Sequence, residues 1–309
     1  MSQSPELLVD GLGLSEGPRW RTADMLPASC AKSAGDGKLW FSDMVAKKVR
    51  TVDLNGRLED LIDVPGIPSG LGWLPDGTFL IISAVDGMLM ALRDGRLESV
   101  VDVQALTGFG CNDMVVDSKG RAHIGSPGGG MNEFQVPGPG NMSVFGYQVM
   151  VAIDSDGVAA ARIVADRMTA PNGPCTSADG KTLIVAETWG FRLTAFDIAD
   201  DGSLQNRRVW ADLGVPTDGL TMDMEGCIWV ALPYFEYGGP GGYVRVAEGG
   251  ELKQCIEVDD YAAYACTLGG PEMKTLFMCE STVLGQERAN GHGRIRTVDV
   301  DVPGIIANP

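Results

Sequence analysis

The chain has 309 residues, of which 44% are hydrophobic and 21% are charged, and its 41 acidic residues outnumber 24 basic ones to give a formal net charge of −17. A chain of this length and composition can bury a substantial core, which argues against disorder and against a fibrous repeat. The negative charge disfavours nucleic acid and anionic membranes as partners, because both are polyanions.

The seven cysteines include no C-x-x-C pair, and their odd number argues against a zinc site or a disulfide scaffold. They are typical of small buried residues in a reducing compartment. The first residues, MSQSPELLVDG, lack a basic segment followed by an apolar one, and no later stretch is apolar for long enough to cross a bilayer. The sequence therefore predicts a cytoplasmic protein.

One unit recurs along the chain: an apolar strand, a turn of the Asp-x-x-Gly kind, and a second strand that ends in small or apolar residues. In chain order the copies are EGPRW to GKLWFSD (16–43), GLGWLPDGTFLIIS (70–83), NDMVVDSKGRAHIGS (112–126), NGPCTSADGKTLIVAE (172–187), DGLTMDMEGCIWVA (218–231) and YACTLGGPEMKTLFMCE (264–280). Most copies are followed by a second alternating pair, such as KVRTVDLNGRLEDLIDV. Each unit therefore has four strands, and almost no helix is predicted.

Six such units of about 50 residues each cannot bury both faces alone, and arranging them around an axis solves this problem. We therefore predict an all-β fold: a six-bladed β-propeller with four-stranded antiparallel blades around a central channel, spanning residues 1–309 as a single domain. A β-sandwich needs fewer strands, and a solenoid needs parallel strands in shorter repeats. The N-terminal strand around Leu7 to Val9 is expected to close the ring by pairing with the last unit near GRIRTVDVDV.

The residue that opens the innermost strand of each unit is expected to face the channel. These residues are Glu16, Ser69, Asn112, Asn172, Asp218 and Tyr264. Two carboxylates and two carboxamides among them would converge on one point, and such hard oxygen donors suit Ca²⁺ or a similar divalent ion. Each residue alone is also a common turn residue, but the turns are already formed by the later Gly-containing pairs.

The ordered motifs resemble those of the SMP-30/gluconolactonase/luciferin-regenerating family over nearly the whole chain. They are SEGPRW (15–20), LWFSD (39–43), PSGLGWLPDG (68–77), CNDMVVDSKGR (111–121), PNG with SADGKTLIVAET (171–188) and TDGLTMDMEGCIWVA (217–231). The resemblance implies a six-bladed propeller with one divalent metal in the channel, and an activity that is mostly lactone hydrolysis, with relatives that cleave other esters or phosphoesters. It places Glu16, Asn172 and Asp218 as metal ligands and Asn112 as a further residue near the metal that contacts substrate.

Two departures bear on the substrate. Sugar lactonases of this family carry an Arg two residues before the Asn of the N-D-x-x-x-D motif, where this chain has Gly110, and the family's substrate-contacting Glu is not carried over to Glu133. The insertions 126–146 and 233–242 are rich in Gly and Pro and are expected to line the mouth of the channel. Their apolar residues are Met131, Phe134, Met142, Phe145, Tyr234, Phe235 and Tyr237. These favour a hydrophobic or aromatic ester over a sugar lactone, although they could equally only pack the loops onto the rim.

The sequence thus predicts a metal-dependent hydrolase that opens a lactone, using one divalent ion, Ca²⁺ first and Zn²⁺, Mg²⁺ or Mn²⁺ as alternatives. Glu16, Asn172 and Asp218 hold the ion, and Asn112 orients a substrate oxygen. Asp218 acts as general base toward water or orients a metal-bound hydroxide, and the sequence leaves both open. With two histidines and no G-x-S-x-G motif, a His-based or acyl-enzyme mechanism is disfavoured.

Two alternatives remain at this stage. One is another metal-assisted reaction on the same fold, either phosphoester hydrolysis or the cyclisation or isomerisation of a metabolic intermediate. The other is a non-catalytic propeller that binds a ligand and holds calcium for structure only. The expected partner is a small-molecule substrate, with no nucleic acid and no membrane, and the oligomeric state is left open.

Overall fold

The computed structural model describes residues 4–26, 37–128, 145–154, 157–233, 241–258, 261–282 and 291–305. Within these ranges the chain forms six four-stranded antiparallel sheets arranged in sequence order. The predicted six-bladed β-propeller is therefore confirmed. No helix in the described ranges is long and apolar enough to span a bilayer.

The strands follow one another blade by blade. Blade 1 contains β2 Ser15–Arg21, β3 Lys38–Asp43, β4 Lys48–Val52 and β5 Leu58–Asp63, and blade 2 contains β6 Pro68–Trp73, β7 Phe79–Ser83, β8 Met88–Arg93 and β9 Arg96–Asp102. Blade 3 contains β10 Met114–Val116, β11 Arg121–Ser126, β12 Gly146–Ile153 and β13 Ala159–Met168, and blade 4 contains β14 Pro171–Thr176, β15 Thr182–Glu187, β16 Arg192–Ile198 and β17 Leu204–Asp212. Blade 5 contains β18 Leu220–Met222, β19 Ile228–Leu232, β20 Gly242–Val246 and β21 Leu252–Glu257.

Blade 6 combines both ends of the chain. Its strands are β22 Ala262–Gly269, β23 Thr275–Ser281, β24 Gly293–Asp299 and the N-terminal β1 Glu6–Leu12. Strand β1 pairs antiparallel with β24, with Glu6 opposite Thr297 and Leu12 opposite Gly293. The predicted closure of the ring is confirmed, because the N-terminal strand completes the four-stranded sheet of the last blade. The described helical segments are α1 Gln104–Thr107 and two 3₁₀ turns, Ala23–Met25 and Thr188–Gly190.

The hydrophobic core lies in layers between neighbouring blades. Leu80 of blade 2 packs in one cluster with Ile124 of blade 3, and Ile184 of blade 4 packs in another with Val230 of blade 5. Inner strands such as β6 and β22 are buried at every position, whereas the outer strand β9 has no fully buried residue. This gradient explains why the inner strands read as continuous apolar segments and the outer strands as alternating ones.

The recurring Asp-x-x-Gly segment forms the turn between the first and second strands of a blade. In blade 3, Asp117 Oδ1 accepts hydrogen bonds from the backbone N–H groups of Lys119 (2.9 Å) and Arg121 (3.0 Å). Gly120 has a φ of +76°, a conformation that an L side chain rarely adopts. Asp223 accepts two backbone bonds in the same way in blade 5. The aspartate at this position therefore stabilises the turn through one carboxylate oxygen. Its other oxygen can accept a hydrogen bond from a side chain, as Asp117 Oδ2 does from Arg121 Nε.

The prediction that the cysteines are small buried residues is correct with one exception. Buried cysteines with no disulfide bond are Cys111, Cys175, Cys227, Cys266 and Cys279. Cys255 lies on the outer strand β21 and is exposed, so the prediction is wrong at this position, because outer strands face solvent. Cys30 lies outside the described residues.

Candidate functional site

The six inner strands surround the axis in chain order. Each inner strand contacts the next one, and β22 returns to contact β2. Glu16 and Asn172 are the second residues of β2 and β14, while Asn112 and Asp218 lie two residues before β10 and β18. All four side chains therefore enter the same end of the channel, although Glu16 and Asp218 are roughly 200 residues apart in the chain.

Glu16 and Asp218 are buried carboxyl groups that lie close to each other. Each residue is only 7% exposed. Burial raises the pKa of Glu16 well above its usual range, and the charges of Asp218 and Asp113 raise it further. Burial and the charge of Asp113 likewise raise the pKa of Asp218. Ionising both groups together is therefore unfavourable unless a cation accompanies them.

Asn172 joins the same group. Its side chain lowers the pKa of Asp218 by hydrogen bonding, an effect smaller than the rise caused by burial. Its Nδ2 also donates to Thr188 Oγ1 at 3.1 Å. Thr188 follows Glu187, a fully buried carboxylate that accepts bonds from the Thr169 N–H at 2.7 Å and from Arg192 Nε at 3.1 Å. The end of β15 therefore fixes the Asn172 amide beside Asp218.

The donor set suits a hard cation. Asp218 Oδ1 is buried and has no hydrogen-bond partner among the described residues. A buried oxygen acceptor without a donor is costly, and a bound cation removes that cost. No group of three or more His, Cys, Asp or Glu side chains in the described ranges is placed to hold a metal. Any cation here must therefore be held by the two carboxylates together with amide oxygens and water.

Asn112 stands at the edge of this group. Ser69 Oγ donates to Asn112 Oδ1 at 3.1 Å, and the Asn112 backbone N–H donates to Gly125 O at 2.8 Å. The first bond directs the amide oxygen toward Ser69 and leaves Nδ2 on the other side of the group. Asn112 is partly exposed, unlike its buried neighbour Asp113. It is therefore placed to meet a molecule that enters the channel.

A salt bridge that the sequence analysis missed lies beneath the carboxyl pair. Arg19 Nη2 lies 3.5 Å from Asp113 Oδ1 and donates to Met114 O at 2.6 Å, so the side chain crosses from β2 to β10. Burial raises the pKa of Asp113, and the charge of Arg19 opposes that rise. Arg19 therefore neutralises one of three neighbouring acids. The sequence feature that could have indicated this salt bridge is the charged residue Arg19 inside an inner strand, in SEGPRW.

Gly110 explains the missing arginine in physical terms. A Cβ at this position would lie 2.5 Å from Ala84 O of the neighbouring blade. The Gly110 carbonyl also accepts a bond from Ser126 Oγ at 2.9 Å. A side chain at position 110 would thus require the backbone to move. The close packing of blades 2 and 3 therefore accounts for a glycine, and not an arginine, at this position.

Most of the predicted mouth residues cannot be placed. Six of the seven apolar mouth residues lie outside the described residues: Met131, Phe134, Met142, Tyr234, Phe235 and Tyr237. Glu133 also lies outside them. Phe145 is 39% exposed, and the guanidinium of Arg167 lies 5.4 Å from its ring centroid. His123 is fully buried, as expected for a core histidine, with Nε2 3.1 Å from Asp117 Oδ2.

The family model described as "SMP-30/Gluconolactonase/LRE-like region" matches residues 14–282. A protein from Sulfolobus acidocaldarius, described as uncharacterized, is 32% identical over 153 residues, which are 47% of this chain and 50% of that protein. The chain thus spans about half the length of this curated relative.

Several solved structures share the fold. A luciferin-regenerating enzyme superposes with a TM-score of 0.76 at 18% identity, covering 99% of this chain and 100% of that one. A calcium-binding protein, regucalcin, from Agrobacterium tumefaciens gives 0.71 at 21% identity, covering 98% and 95%. A gluconolactonase from Xanthomonas campestris gives 0.70 at 21% identity, covering 97% and 95%. At these identities the likeness establishes the fold.

Proposed function

Because the chain belongs to the SMP-30/gluconolactonase/LRE-like family, we propose that it is a hydrolase that opens a lactone at the buried pair Glu16 and Asp218. The observation that carries this proposal is the Asp218 carboxyl itself. It is buried beside a second acid, has a raised pKa, and keeps one oxygen without a donor among the described residues. Strongly perturbed groups of this kind concentrate at functional sites.

One divalent cation belongs to the proposed site, with Glu16, Asn172 and Asp218 as its ligands. The oxygen-only donor set favours Ca²⁺, with Zn²⁺, Mg²⁺ and Mn²⁺ as alternatives. When bound, such an ion would polarise the carbonyl of an ester and would stabilise negative charge on its oxygen.

The residues of the chain then have distinct tasks. Asp218 takes a proton from the attacking water, and Asn172 holds the Asp218 carboxyl in position. Asn112 Nδ2 donates to a substrate oxygen, while the Ser69 bond at 3.1 Å fixes its direction. Water adds to the carbonyl carbon and the ring C–O bond breaks, so the ester becomes a hydroxy acid and the proton passes to the alcohol oxygen.

The substrate is proposed to be a hydrophobic or aromatic lactone. Gly110 has no side chain at the position where the resemblance to sugar lactonases expects an Arg for the substrate hydroxyl groups, and a Cβ there would lie 2.5 Å from Ala84 O. Phe145 contributes an exposed ring at the described edge of the 126–146 insertion. Apolar contacts of this kind select ring substituents by burial.

A panel of sugar, aliphatic and aromatic lactones, followed by acid release, tests the proposal. We expect turnover of hydrophobic lactones that EDTA stops and calcium restores. Asp10→Asn, a change at an exposed carboxylate on β1, serves as the matched control for site variants and keeps full activity. Failure to open any lactone while calcium is bound, or turnover of a phosphoester or of a sugar lactone instead, would contradict the proposal in its present form.

A further inference from the structure

Arg21, the last residue of β2, is a buried arginine that lacks a carboxylate partner among the residues described. It is 6% exposed, and its Nη1 donates to Trp20 O at 3.3 Å. Its Nε is buried and has no acceptor within the described part of the chain. An unpaired charge in a low-dielectric interior carries a large desolvation cost. Something must offset that cost if Arg21 keeps this position.

The two other arginines that are fully buried in the described ranges show the usual solution. Arg121 places Nε 2.7 Å from Asp117 Oδ2. Arg245 places Nε 2.6 Å from Asp223 Oδ2 and Nη2 2.7 Å from Glu225 Oε2. Arg21 differs from both in having no such acid within the described ranges.

The repeat explains the difference. Asp117 lies five residues after Asn112, Asp223 lies five residues after Asp218, and Arg21 lies five residues after Glu16. In blades 3 and 5 this position therefore carries the acid that binds an arginine, whereas in blade 1 it carries the arginine. The charge at the end of the inner strand is reversed, and the described residues supply no compensating acid.

A second orphaned donor lies on the same face of blade 1. Arg21 is opposite Lys38 and Arg19 is opposite Trp40 in the pairing of β2 with β3, so these four side chains share one face. Trp40 Nε1 is buried and, within the described ranges, has no acceptor. The Arg21 guanidinium lies 4.8 Å from the Trp73 ring centroid. The centroids of the Trp40 and Trp73 rings are 5.4 Å apart. Both donors therefore border the same aromatic ring of blade 2.

The described charge that acts on Arg21 most clearly is positive. Burial and the neighbouring Arg19 lower the pKa of Arg21 to about 10. Arg19 is itself engaged with Asp113, and Lys38 Nζ is paired with Glu59 Oε2 at 2.6 Å. Asp113 and Glu59 are thus paired with other cations, and among the residues that the structure describes no acid is left to balance Arg21.

We propose that Arg21 and Trp40 bind a small monovalent anion of halide size between blades 1 and 2, with the Trp73 ring as the floor of the site. The anion accepts from Arg21 Nε and Trp40 Nε1 and supplies the charge that Asp117 and Asp223 supply elsewhere. The site lies about 16 Å from Glu16 along β2, at the other end of the strand, and is independent of the proposed hydrolysis.

Thermal unfolding of the full chain in a halide-free buffer, with chloride added at constant ionic strength, tests this proposal. The melting temperature is expected to rise with chloride and to saturate, because the ion binds the folded state. Methanesulfonate, which is larger than a halide, should not reproduce the rise if the site takes an anion of halide size. Equal melting temperatures in the two anions would overturn the proposal.

Variants and a bromide-containing crystal test whether chloride stabilises the protein by binding at Arg21. Arg21→Met should remove the chloride dependence, and Trp40→Phe, which keeps the ring but loses the N–H, should weaken chloride binding about tenfold. Arg57→Met, at a side chain that is 78% exposed, is the matched control and keeps the dependence. A wild-type crystal grown in bromide should show an anomalous peak beside the Arg21 guanidinium. Absence of that peak overturns the proposal even if the Arg21 variant fails to fold.

Discussion

Two buried carboxylates, Glu187 and Asp218, lie at the same end of the propeller and behave in opposite ways. Burial alone would raise the pKa of Glu187, but bonds from Thr194 and Thr169 and the charge of Arg192 lower it below its usual range. Asp218 has no comparable set of donors, and its pKa is raised. A buried acid surrounded by donors thus stabilises the fold, whereas one left short of donors is available to bind a cation or a proton.

The largest expected effect is on Asp218. Asp218→Asn should lower kcat by about 1000-fold or more, because the proposed base and ligand is lost. The metal-free protein should keep or raise its melting temperature, since the neutral amide does not carry the cost of ionising a buried acid. Steady-state kinetics and thermal unfolding measure both. If Asp218→Asn retains activity, Asp218 is not the functional acid that the contrast with Glu187 assigns it to be.

Glu187→Gln is the converse change. It should destabilise the fold by about 2–3 kcal/mol, because Arg192 and Arg207 lose charged hydrogen bonds at 3.0 and 3.2 Å, while both arginines stay about a third exposed and keep part of their hydration. Urea unfolding measures the loss. If Glu187→Gln is as stable as the wild type, the donors around this acid do not stabilise it as argued.

The pH dependence separates the two kinds of acid further. Burial would raise the pKa of Asp117, but bonds from His123 and Arg121 lower it to about 2. A group whose pKa is depressed in the folded state stabilises the protein above its unfolded pKa, and that stabilisation is lost as pH falls through the folded pKa. Asp117 should therefore contribute roughly 2 kcal/mol that disappears between about pH 4 and pH 2. Urea unfolding across this window should show a shallower pH dependence in Asp117→Asn, and an unchanged slope would contradict the assignment.

The smallest effect is expected at Asn112, which contacts Ser69 and not the carboxyl pair. Asn112→Ala should lower kcat/KM for the preferred lactone about tenfold through the loss of one hydrogen bond to substrate. Calcium affinity should stay the same. A large loss of calcium affinity in this variant would instead make Asn112 a metal ligand.

Much of the fold could be predicted because strands and turns are determined by residues close together in the sequence. Blades 3 and 5 show this with their own turn aspartate and glycine, such as Asp117 and Gly120, and related turn segments recur in other blades. The closure by β1 followed from the strand that remained unpaired at the N-terminus. Inward-facing positions could be assigned from the same register, which is why Glu16 and Asp218 were expected to meet.

The contacts that tune the site could not be predicted in this way. Arg19 reaches Asp113 across the channel, and Thr188 holds Asn172 from the end of a neighbouring strand. Such pairs depend on side-chain reach and on distances between blades, which a repeat pattern does not contain. The exposure of Cys255 was missed for a related reason, because a cysteine's burial depends on the position of its strand within the blade.

Calcium titration into EDTA-treated protein, followed by calorimetry, tests the central claim most directly. We expect one calcium per chain in the wild type and in Asp10→Asn, and loss of that binding in both Glu16→Gln and Asp218→Asn. Calcium binding of equal stoichiometry and affinity in all four proteins, or no binding of calcium or of any other divalent ion to the wild type, would contradict it.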